Sequence, residues 1–151
     1  MIVEAAMFHL QGIYTLMEDI CKHGGRKFGF SIDKRDALDA IAKGMLDKNQ
    51  HILIAEESSK VVGLLWLQIV PYAFDKNNIH MHEILWHTHT ELSHIKRGRI
   101  QIGLYEKMEK IAEDNNVNHI YAGAPDGNDI CWFLERRGYK LRERNYVKVV
   151  A

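Results

Sequence analysis

The fold is decided by the stretch His51-Ile52-Leu53-Ile54-Ala55-Glu56, which is followed by Val61-Val62-Gly63-Leu64-Leu65-Trp66-Leu67-Gln68-Ile69-Val70. The polar residues Ser58-Ser59-Lys60 lie between these two apolar runs. A strand with one solvated face alternates apolar and polar residues, whereas a near-continuous apolar run indicates a strand covered on both faces. The stretch therefore predicts a β-hairpin inside a sheet that carries packing elements on both sides.

Two amphipathic helices are predicted before this hairpin. Apolar residues recur at helical spacing from Leu10 to Cys21, and Gly24-Gly25 would end that helix. Asp33 is a suitable N-cap for a second helix, whose apolar face extends to Leu46. The stretch Ile2-Val3-Glu4-Ala5 predicts a short first strand.

Strands and helices alternate after the hairpin. The sequence predicts, in order, a polar loop over Pro71–Asn78, a long His-rich strand over Ile79–Thr90, a helix from about Arg99 to Asp114, a strand over Val117–Ala122, a helix capped by Asn128 or Asp129 and ended by Gly138, and one or two strands from Tyr139 to Val150. This order, (β)ααβββαβαβ(β), is that of an α/β sandwich with helices on both faces of a mixed sheet.

Length and composition indicate one domain over residues 1–151 and exclude several classes of function. The chain has 20 Lys and Arg and 20 Asp and Glu, so its net charge is zero, whereas a nucleic-acid-binding domain is usually strongly basic. No apolar run approaches the roughly 18 residues that a membrane span needs, and the first residues lack the basic region of a signal peptide. Cys21 and Cys131 are too few for a disulfide framework, which suits a protein of the reducing cytoplasm.

The element order and three local features resemble the GNAT superfamily of acetyl-CoA-dependent N-acetyltransferases. The features are the hairpin, the segment Thr90-Glu91-Leu92-Ser93-His94-Ile95-Lys96-Arg97-Gly98-Arg99-Ile100-Gln101-Ile102-Gly103-Leu104, and the tail Asn128-Asp129-Ile130-Cys131-Trp132-Phe133-Leu134-Glu135-Arg136-Arg137-Gly138-Tyr139-Lys140. The resemblance spans essentially the whole chain. It implies a mixed, largely antiparallel central sheet and an enzyme that uses acetyl-CoA as co-substrate.

In that family a loop of the pattern Q/R-x-x-G-x-G/A binds the pyrophosphate of the cofactor. Lys96 takes the first position here, with Arg99 and Gln101 in place of the two small residues, while an alignment on Arg97-Gly98 leaves Gly103 in the glycine role. Amides at a helix N-terminus attract phosphate and nearby cations strengthen the attraction, although a merely solvated basic loop is the alternative. The resemblance implies cofactor-binding roles for Thr90, Glu91, Leu92, Lys96, Arg97, Gly98, Arg99, Ile100, Gln101, Ile102, Gly103 and Asn128.

Glu83 is the first candidate for the base that takes a proton from the acceptor amine, because many GNAT enzymes carry a Glu in the corresponding strand. A Glu in the apolar stretch Glu83-Ile84-Leu85-Trp86 is costly to bury, so we expect it to be paired or to face a cavity. An exposed carboxylate at the strand edge is the alternative. His87 and His89 have the same strand parity and would share its face unless a bulge intervenes, and imidazole exchanges protons near neutral pH.

The acid that would protonate the departing thiolate has no evident candidate. A Tyr often serves in the family, but the corresponding position, counted back from Gly138, holds Leu134. Tyr105, Tyr139 and Tyr146 are the nearby aromatic residues, and each fits a packing role first. A thiolate can leave without a specific acid, so catalysis is still expected.

Two other kinds of chemistry are weaker predictions. Cys131 has no paired His at a useful spacing, so we expect it to behave as a small apolar residue rather than as a nucleophile. The pairs His80/His82 and His87/His89 have the spacing that puts two imidazoles on one side of a strand, yet nothing completes a set of four ligands. No metal site is therefore expected.

The sequence thus predicts an N-acetyltransferase that moves an acetyl group from acetyl-CoA to a primary amine by direct attack in a ternary complex. The cofactor would lie between the strands 79–90 and 117–122. The acceptor, a small molecule or a peptide, would enter beside the first two helices and the 71–78 loop, near Lys22, His23 and Asp75. The alternative is a GNAT-fold module that binds acyl-CoA or a protein partner with little or no turnover. A homodimer is a further expectation, because the last strands of this family often support dimers.

Overall fold

The computed structural model describes residues 1–23, 31–123 and 130–142. Within these residues the order of elements confirms the predicted α/β fold. The elements are β1 (Ile2–Glu4), a 3-10 turn (Met7–His9), α1 (Leu10–His23), α2 (Lys34–Leu46), β2 (Gln50–Glu57), β3 (Lys60–Tyr72), β4 (Asp75–Thr88), α3 (His94–Asp114), β5 (His119–Tyr121) and α4 (Ile130–Arg136). The predictions at Gly24-Gly25, Asn128, Asp129 and 143–150 lie outside the described residues.

The described strands form one mixed sheet in the order β1-β2-β3-β4-β5. Neighbours from β1 to β4 are antiparallel, and β5 runs parallel to β4. The predicted hairpin is confirmed, because β2 and β3 pair up to Glu57 and Lys60. Ser58 and Ser59 turn the chain with φ values of 47° and 61°, the positive values that the favoured two-residue hairpin turn requires.

Helices cover both faces of the sheet, because alternate strand residues point to opposite sides. One face packs against α1 and α2, and the other packs against α3 and α4. The first core includes Ile13, Leu16, Ile41, Ile52, Ile54 and Leu64, and the second includes Leu53, Leu65, Leu67, Met81, Leu104 and Met108. The near-continuous apolar character of β2 and β3 follows from this double coverage.

The prediction of a polar loop over Pro71–Asn78 is wrong, because β3 continues to Tyr72 and β4 begins at Asp75. β2 begins at Gln50 and pairs only with the earlier part of β3. The later part of β3 pairs with β4 on one side, and in the described chain no strand lies along its other side. Proline lacks the backbone N–H of a β-ladder and is tolerated on such an edge. The rings of Tyr72 and His80 also stack, with centroids 4.9 Å apart, which favours the longer hairpin over a loop.

The sequence predicts that the third helix begins near Arg99, but α3 begins at His94. Ser93 is its N-cap, and the Ser93 hydroxyl accepts a hydrogen bond from the Lys96 amide at 3.4 Å; serine is among the preferred N-cap residues. The predicted basic loop is therefore the first part of a helix. From Arg97 onward the backbone amides donate within the helix, so only the first turn can offer amides to an anion.

The later part of the described chain confirms the predicted end of α4 and corrects two predicted strands. Gly138 follows α4 with a φ of 90°, and the Tyr139 amide donates back to the Leu134 carbonyl at 3.0 Å, as expected for a helix that ends in glycine. β5 covers only His119–Tyr121 and is shorter than the predicted strand over 117–122. Residues 139–142 form no strand.

Candidate active site

β4 and β5 separate after three residue pairs, and their separation creates the candidate site. Pairing runs from His80 opposite His119 to His82 opposite Tyr121 and then stops, while β4 continues. The Trp86 indole N–H donates to the carbonyl oxygen of Gly123 at 3.1 Å. Beyond Tyr121, hydrogen bonds from side chains rather than a backbone ladder therefore connect β4 to the segment that follows β5.

Glu83 is the first residue of β4 after the pairing ends. Its Oε2 accepts hydrogen bonds from the Tyr105 hydroxyl at 3.0 Å and from the Gly123 amide at 3.4 Å. Burial raises the pKa of Glu83 to about 7, against the opposing effect of these two hydrogen bonds. A carboxyl group that titrates near neutral pH suits a general base, and the expectation of a paired Glu rather than an exposed edge carboxylate is met.

A β-bulge at Ile84 changes which side chains share a face. Leu67 of β3 pairs with Glu83 and Trp66 pairs with Leu85, so Ile84 has no partner of its own. One extra residue shifts the alternation of side chains by one. Glu83 therefore points toward α3 and His87 toward α1, so the bulge that the sequence analysis left open is present and the two side chains do not share one face.

His87 belongs to a cluster around a carboxylate that sequence reasoning missed. Asp19 of α1, which is 7% exposed, accepts hydrogen bonds from His87 Nε2 at 2.8 Å and from the Thr90 amide and hydroxyl at 3.0 Å each. His23 Nδ1 lies 3.0 Å from the same carboxylate. The sequence signal is weak, because Asp19 lies at the edge of the apolar stripe of α1, where an acidic residue normally meets solvent.

Burial would raise the pKa of Asp19, but the hydrogen bonds from His87 and Thr90 outweigh that effect and hold the pKa at about 2. Burial lowers the pKa of His87, with Asp19 opposing the shift. At neutral pH the pair is therefore a carboxylate and a neutral imidazole. His89, the third predicted catalytic residue, contacts the turn instead: its Nδ1 accepts the Glu91 amide at 3.3 Å, and its own amide donates to the Val62 carbonyl at 2.9 Å.

One face of α3 looks toward β4 and the candidate site. Gln101 Nε2 donates to the Thr88 hydroxyl at 3.5 Å, and Tyr105, one turn further, reaches Glu83. Helical spacing puts Arg97 on this face, one turn before Gln101, where its guanidinium lies 3.1 Å from the His94 ring. A Cβ added at Gly98 would meet no atom of the described residues within 4 Å, so these residues leave open space beside the helix there.

The other predicted cofactor-binding side chains divide between the opposite face and the core. Lys96 pairs with Glu57, and both Lys96 and Arg99 line a cavity of about 480 Å³ between α3 and β1. A Cβ at Gly103 would lie 2.5 Å from the Ile2 side chain, so glycine there allows α3 to pack closely on β1. Ile100 and Ile102 pack against the core, Leu92 is half-buried and Glu91 is exposed, while Asn128 lies outside the described residues.

Leu134, which the resemblance matches to the acid position of the family, is apolar and cannot donate a proton. Leu134 is 7% exposed and lies in the core under α3 and α4. Tyr105, for which packing was expected first, is buried but also places its hydroxyl at Glu83. Burial, together with the nearby Glu83 carboxylate, raises the pKa of Tyr105, so its hydroxyl keeps its proton at neutral pH.

The remaining candidates from the sequence lie apart from Glu83 and His87. His80 and His82 pack against Tyr121, with ring centroids 5.3 Å and 4.7 Å apart. Residues 1–23, 31–123 and 130–142 contain no group of three or more His, Cys, Asp or Glu arranged for a metal ion. Cys131 is exposed on α4.

Of the three residues predicted around the acceptor, two lie near the Asp19 cluster and the third lies far from it. Lys22 and His23 are exposed at the end of α1, beside the Asp19 cluster. Asp75 begins β4, at the end of the strand opposite to His87. The reason is the extended hairpin, which carries Asp75 away from the α1 end of the sheet. In the part of the chain that the structure describes, no helix is long and apolar enough to cross a bilayer.

The chain has the GNAT acetyltransferase fold over its full length. A GNAT family acetyltransferase from Staphylococcus aureus aligns over 99% of this chain and 98% of its own, at 15% identity and a TM-score of 0.67. An aminoglycoside acetyltransferase from an uncultured soil metagenomic sample aligns over 100% and 94%, at 15% identity and a TM-score of 0.70. A transcriptional regulator from Bacillus halodurans aligns over 99% of both chains, at 20% identity and a TM-score of 0.78. The sequence matches no family model and no curated protein.

Proposed function

We propose that this protein is an N-acetyltransferase that transfers an acetyl group from acetyl-CoA to a primary amine. The observation that carries the proposal is Glu83, a half-buried carboxyl group with a pKa of about 7 at the point where β4 and β5 separate. A structural carboxylate is usually paired with a cation, whereas the partners of Glu83 among the described residues are a hydroxyl and a backbone amide. Such an environment keeps the group able to gain and lose a proton near neutral pH.

In the proposed reaction the amine attacks the thioester directly, and Glu83 acts on the amine. An aliphatic ammonium group titrates near pH 10.4, so it must lose a proton before it can attack. The ionised Glu83 accepts that proton, directly or through a water molecule. The amine nitrogen then bonds to the carbonyl carbon and gives up a second proton to water or a nearby base, the carbon–sulfur bond breaks to form the amide, and the thiolate takes a proton from solvent. Because position 134 is leucine, the proposal assigns no side chain to that last step.

Acetyl-CoA would lie along the part of β4 that β5 leaves unpaired, with its pyrophosphate at the start of α3. The amides of His94 and Ile95 make no hydrogen bond within the described part of the chain and lie at the positive end of the helix dipole. Arg97 adds a cation on the side of β4, and Gly98 leaves room for close approach. Lys96 and Arg99 point to the opposite side, so the proposal assigns the phosphate to Arg97 rather than to them.

Calorimetric titration of the purified protein with acetyl-CoA and with CoA tests the cofactor site. We expect saturable one-to-one binding, weakened about tenfold by Arg97→Ala, because a charge-assisted contact contributes roughly 1.4 kcal/mol or more. Arg99→Ala is the matched control, since it removes the same side chain from the same helix on the face toward β1. Equal effects of the two substitutions, or no binding at millimolar ligand, would contradict the proposed placement.

A second candidate function is a GNAT-fold module that binds acyl-CoA or a protein partner without turnover. It is favoured by Leu134, which is buried where the family often has a tyrosine, and by the structural likeness to a protein described as a transcriptional regulator. Release of CoA thiol across a panel of amines separates the two functions. Binding of acetyl-CoA with no thiol release for any amine would favour the module.

A further inference from the structure

We propose that Asp19 is a positioning residue, which holds the His87 imidazole as a second proton acceptor on the α1 side of β4. This inference rests on the proposed acetyltransferase function and adds a residue from α1 to its machinery. It is carried by geometry, because the Asp19 carboxylate lies 2.8 Å from His87 Nε2 across the contact between α1 and β4.

The hydrogen bond fixes which nitrogen of His87 carries the proton. An ionised carboxylate can only accept hydrogen bonds, so Nε2 must be the donor. In the neutral imidazole Nδ1 then has the lone pair and is the basic atom. Carboxylates that orient an imidazole in this way set both its tautomer and its direction.

The other bonds of Asp19 hold the carboxylate itself in place. Both oxygens are used, since Thr90 donates its amide to Oδ2 and its hydroxyl to Oδ1. His23 from α1 lies 3.0 Å from Oδ1, and His89 of the following turn also contributes to the electrostatics of Asp19. With its acceptor sites occupied, Asp19 is poorly placed to bind a substrate amine directly, so its effect must pass through His87.

The reaction needs a second proton acceptor. The ammonium group of the acceptor has three N–H bonds, and the amide product has one. One proton leaves before attack, and another leaves the nitrogen when the tetrahedral intermediate breaks down to the amide and the thiolate. Glu83, which takes the first proton in the proposed function, faces α3, and His87 faces α1, so the inference requires the nitrogen to lie at the edge of β4 that β5 leaves unpaired, between the two faces. The Ile84 bulge gives β4 a proton acceptor on each face.

Kinetics of Asp19→Asn and of a double-mutant cycle test this inference. Both His87 Nε2 and the Thr90 amide donate to Oδ2, so the asparagine oxygen keeps that position, and the substitution removes the negative charge beside the imidazole. We expect kcat to fall about 100-fold with little change in KM. In a His87→Gln background, Asp19→Asn should have no further effect on kcat, because it acts only through the imidazole. ¹⁵N NMR of the histidines should show the Nε2–H tautomer of His87 in the wild-type protein and a lower His87 pKa in Asp19→Asn, because the Asp19 carboxylate raises that pKa.

Asp47→Asn is the matched control for loss of a structural carboxylate. Asp47 accepts hydrogen bonds from the Asn49 amide and from Gln50 Nε2 at 2.9 and 3.1 Å, so its substitution should change stability without changing kcat. An Asp19→Asn effect that persists in the His87→Gln background, or an unchanged kcat, overturns the inference alone. A wild-type protein that releases no thiol with any amine overturns the proposed function, and the inference with it.

Discussion

The hydroxyl of Tyr105 lies 3.0 Å from Oε2 of Glu83, inside the contact between α3 and β4. Tyr105 also contacts the Gly123 carbonyl at 3.3 Å, and the Gly123 amide reaches Glu83. The carboxyl group is thus held by neutral donors from α3 and from the chain after β5, with no cation among these contacts. Its protonation is therefore balanced near neutral pH, which leads to the following predictions.

Glu83→Gln should change the shape of the pH–rate profile. In the wild-type protein kcat/KM for an aliphatic amine should rise tenfold per pH unit up to about pH 7, the pKa of Glu83, and then level off. The variant has no base, so it depends on the neutral amine in solution and its rate should keep rising toward the pKa of the amine, about 10.4. At pH 7 we expect a loss of about 100-fold. Profiles of the same shape would rule out Glu83 as the base.

Tyr105→Phe should move the same profile to higher pH. The hydrogen bond from Tyr105 lowers the pKa of Glu83, so removing the hydroxyl raises that pKa further. Activity should fall most below pH 7 and recover above pH 8. Tyr14→Phe provides the control, because the Tyr14 hydroxyl donates to Glu18 at 3.0 Å within α1 and touches no proposed catalytic group. A uniform loss of rate at all pH values would instead indicate a structural effect of the hydroxyl.

The stability of the wild-type protein relative to Glu83→Gln should depend on pH. The folded-state pKa of Glu83 is about 7, above the ordinary value of 4.5, so the native state holds this proton more tightly than the unfolded state. Stability from this group is fully present below pH 4.5 and is lost as the pH rises through 7. Chemical denaturation at pH 5 and pH 8.5 should show the variant gaining about 3 kcal/mol relative to wild type. A difference that is constant with pH would mean that Glu83 is ionised without cost.

Asp19 should show the opposite dependence. Its pKa is about 2 in the folded state and 3.8 ordinarily, so its contribution is present above pH 3.8 and is lost as the pH falls toward 2. Urea denaturation between pH 5 and pH 2.5 should bring wild type and Asp19→Asn closer together, by up to about 2 kcal/mol. If the two free energies of unfolding keep a constant difference, the carboxylate is not held by the hydrogen bonds from His87 and Thr90.

Local sequence patterns were sufficient to predict the order of the elements, but not on which face of β4 each candidate side chain lies. The apolar runs of β2 and β3 predict a doubly covered hairpin, because burial on both sides leaves a direct mark on residue types. The bulge at Ile84 leaves no comparable mark, since an extra residue in one strand is recognised only against its partner. The pairing of Glu83 was predicted in kind, but its partner Tyr105 is 22 positions away in the chain.

Two other features of the site were not predicted, namely the start of α3 and the contact of Asp19 with His87. A serine followed by basic residues is compatible with a loop or with a capped helix, and only the helix that follows Ser93 decides between them. The contact of Asp19 with His87 spans 68 positions. Such contacts depend on how α1 packs across the sheet, and a single sequence gives no spacing rule for them. The match of Leu134 to the acid position of the family rests on Gly138, which does follow α4, and it stays a prediction.

Gly98→Ala should separate stability from cofactor binding. Gly98 lies in the second turn of α3, and an added methyl group would meet no atom of the described chain within 4 Å. Alanine in place of a helical glycine stabilises by about 0.5–1 kcal/mol, so the melting temperature without ligand should rise. If acetyl-CoA uses the open space beside Arg97, the same methyl group should weaken its binding, measured by calorimetry, by about tenfold. A protein that is more stable and binds acetyl-CoA as tightly as wild type would show that the cofactor does not approach α3 at this turn.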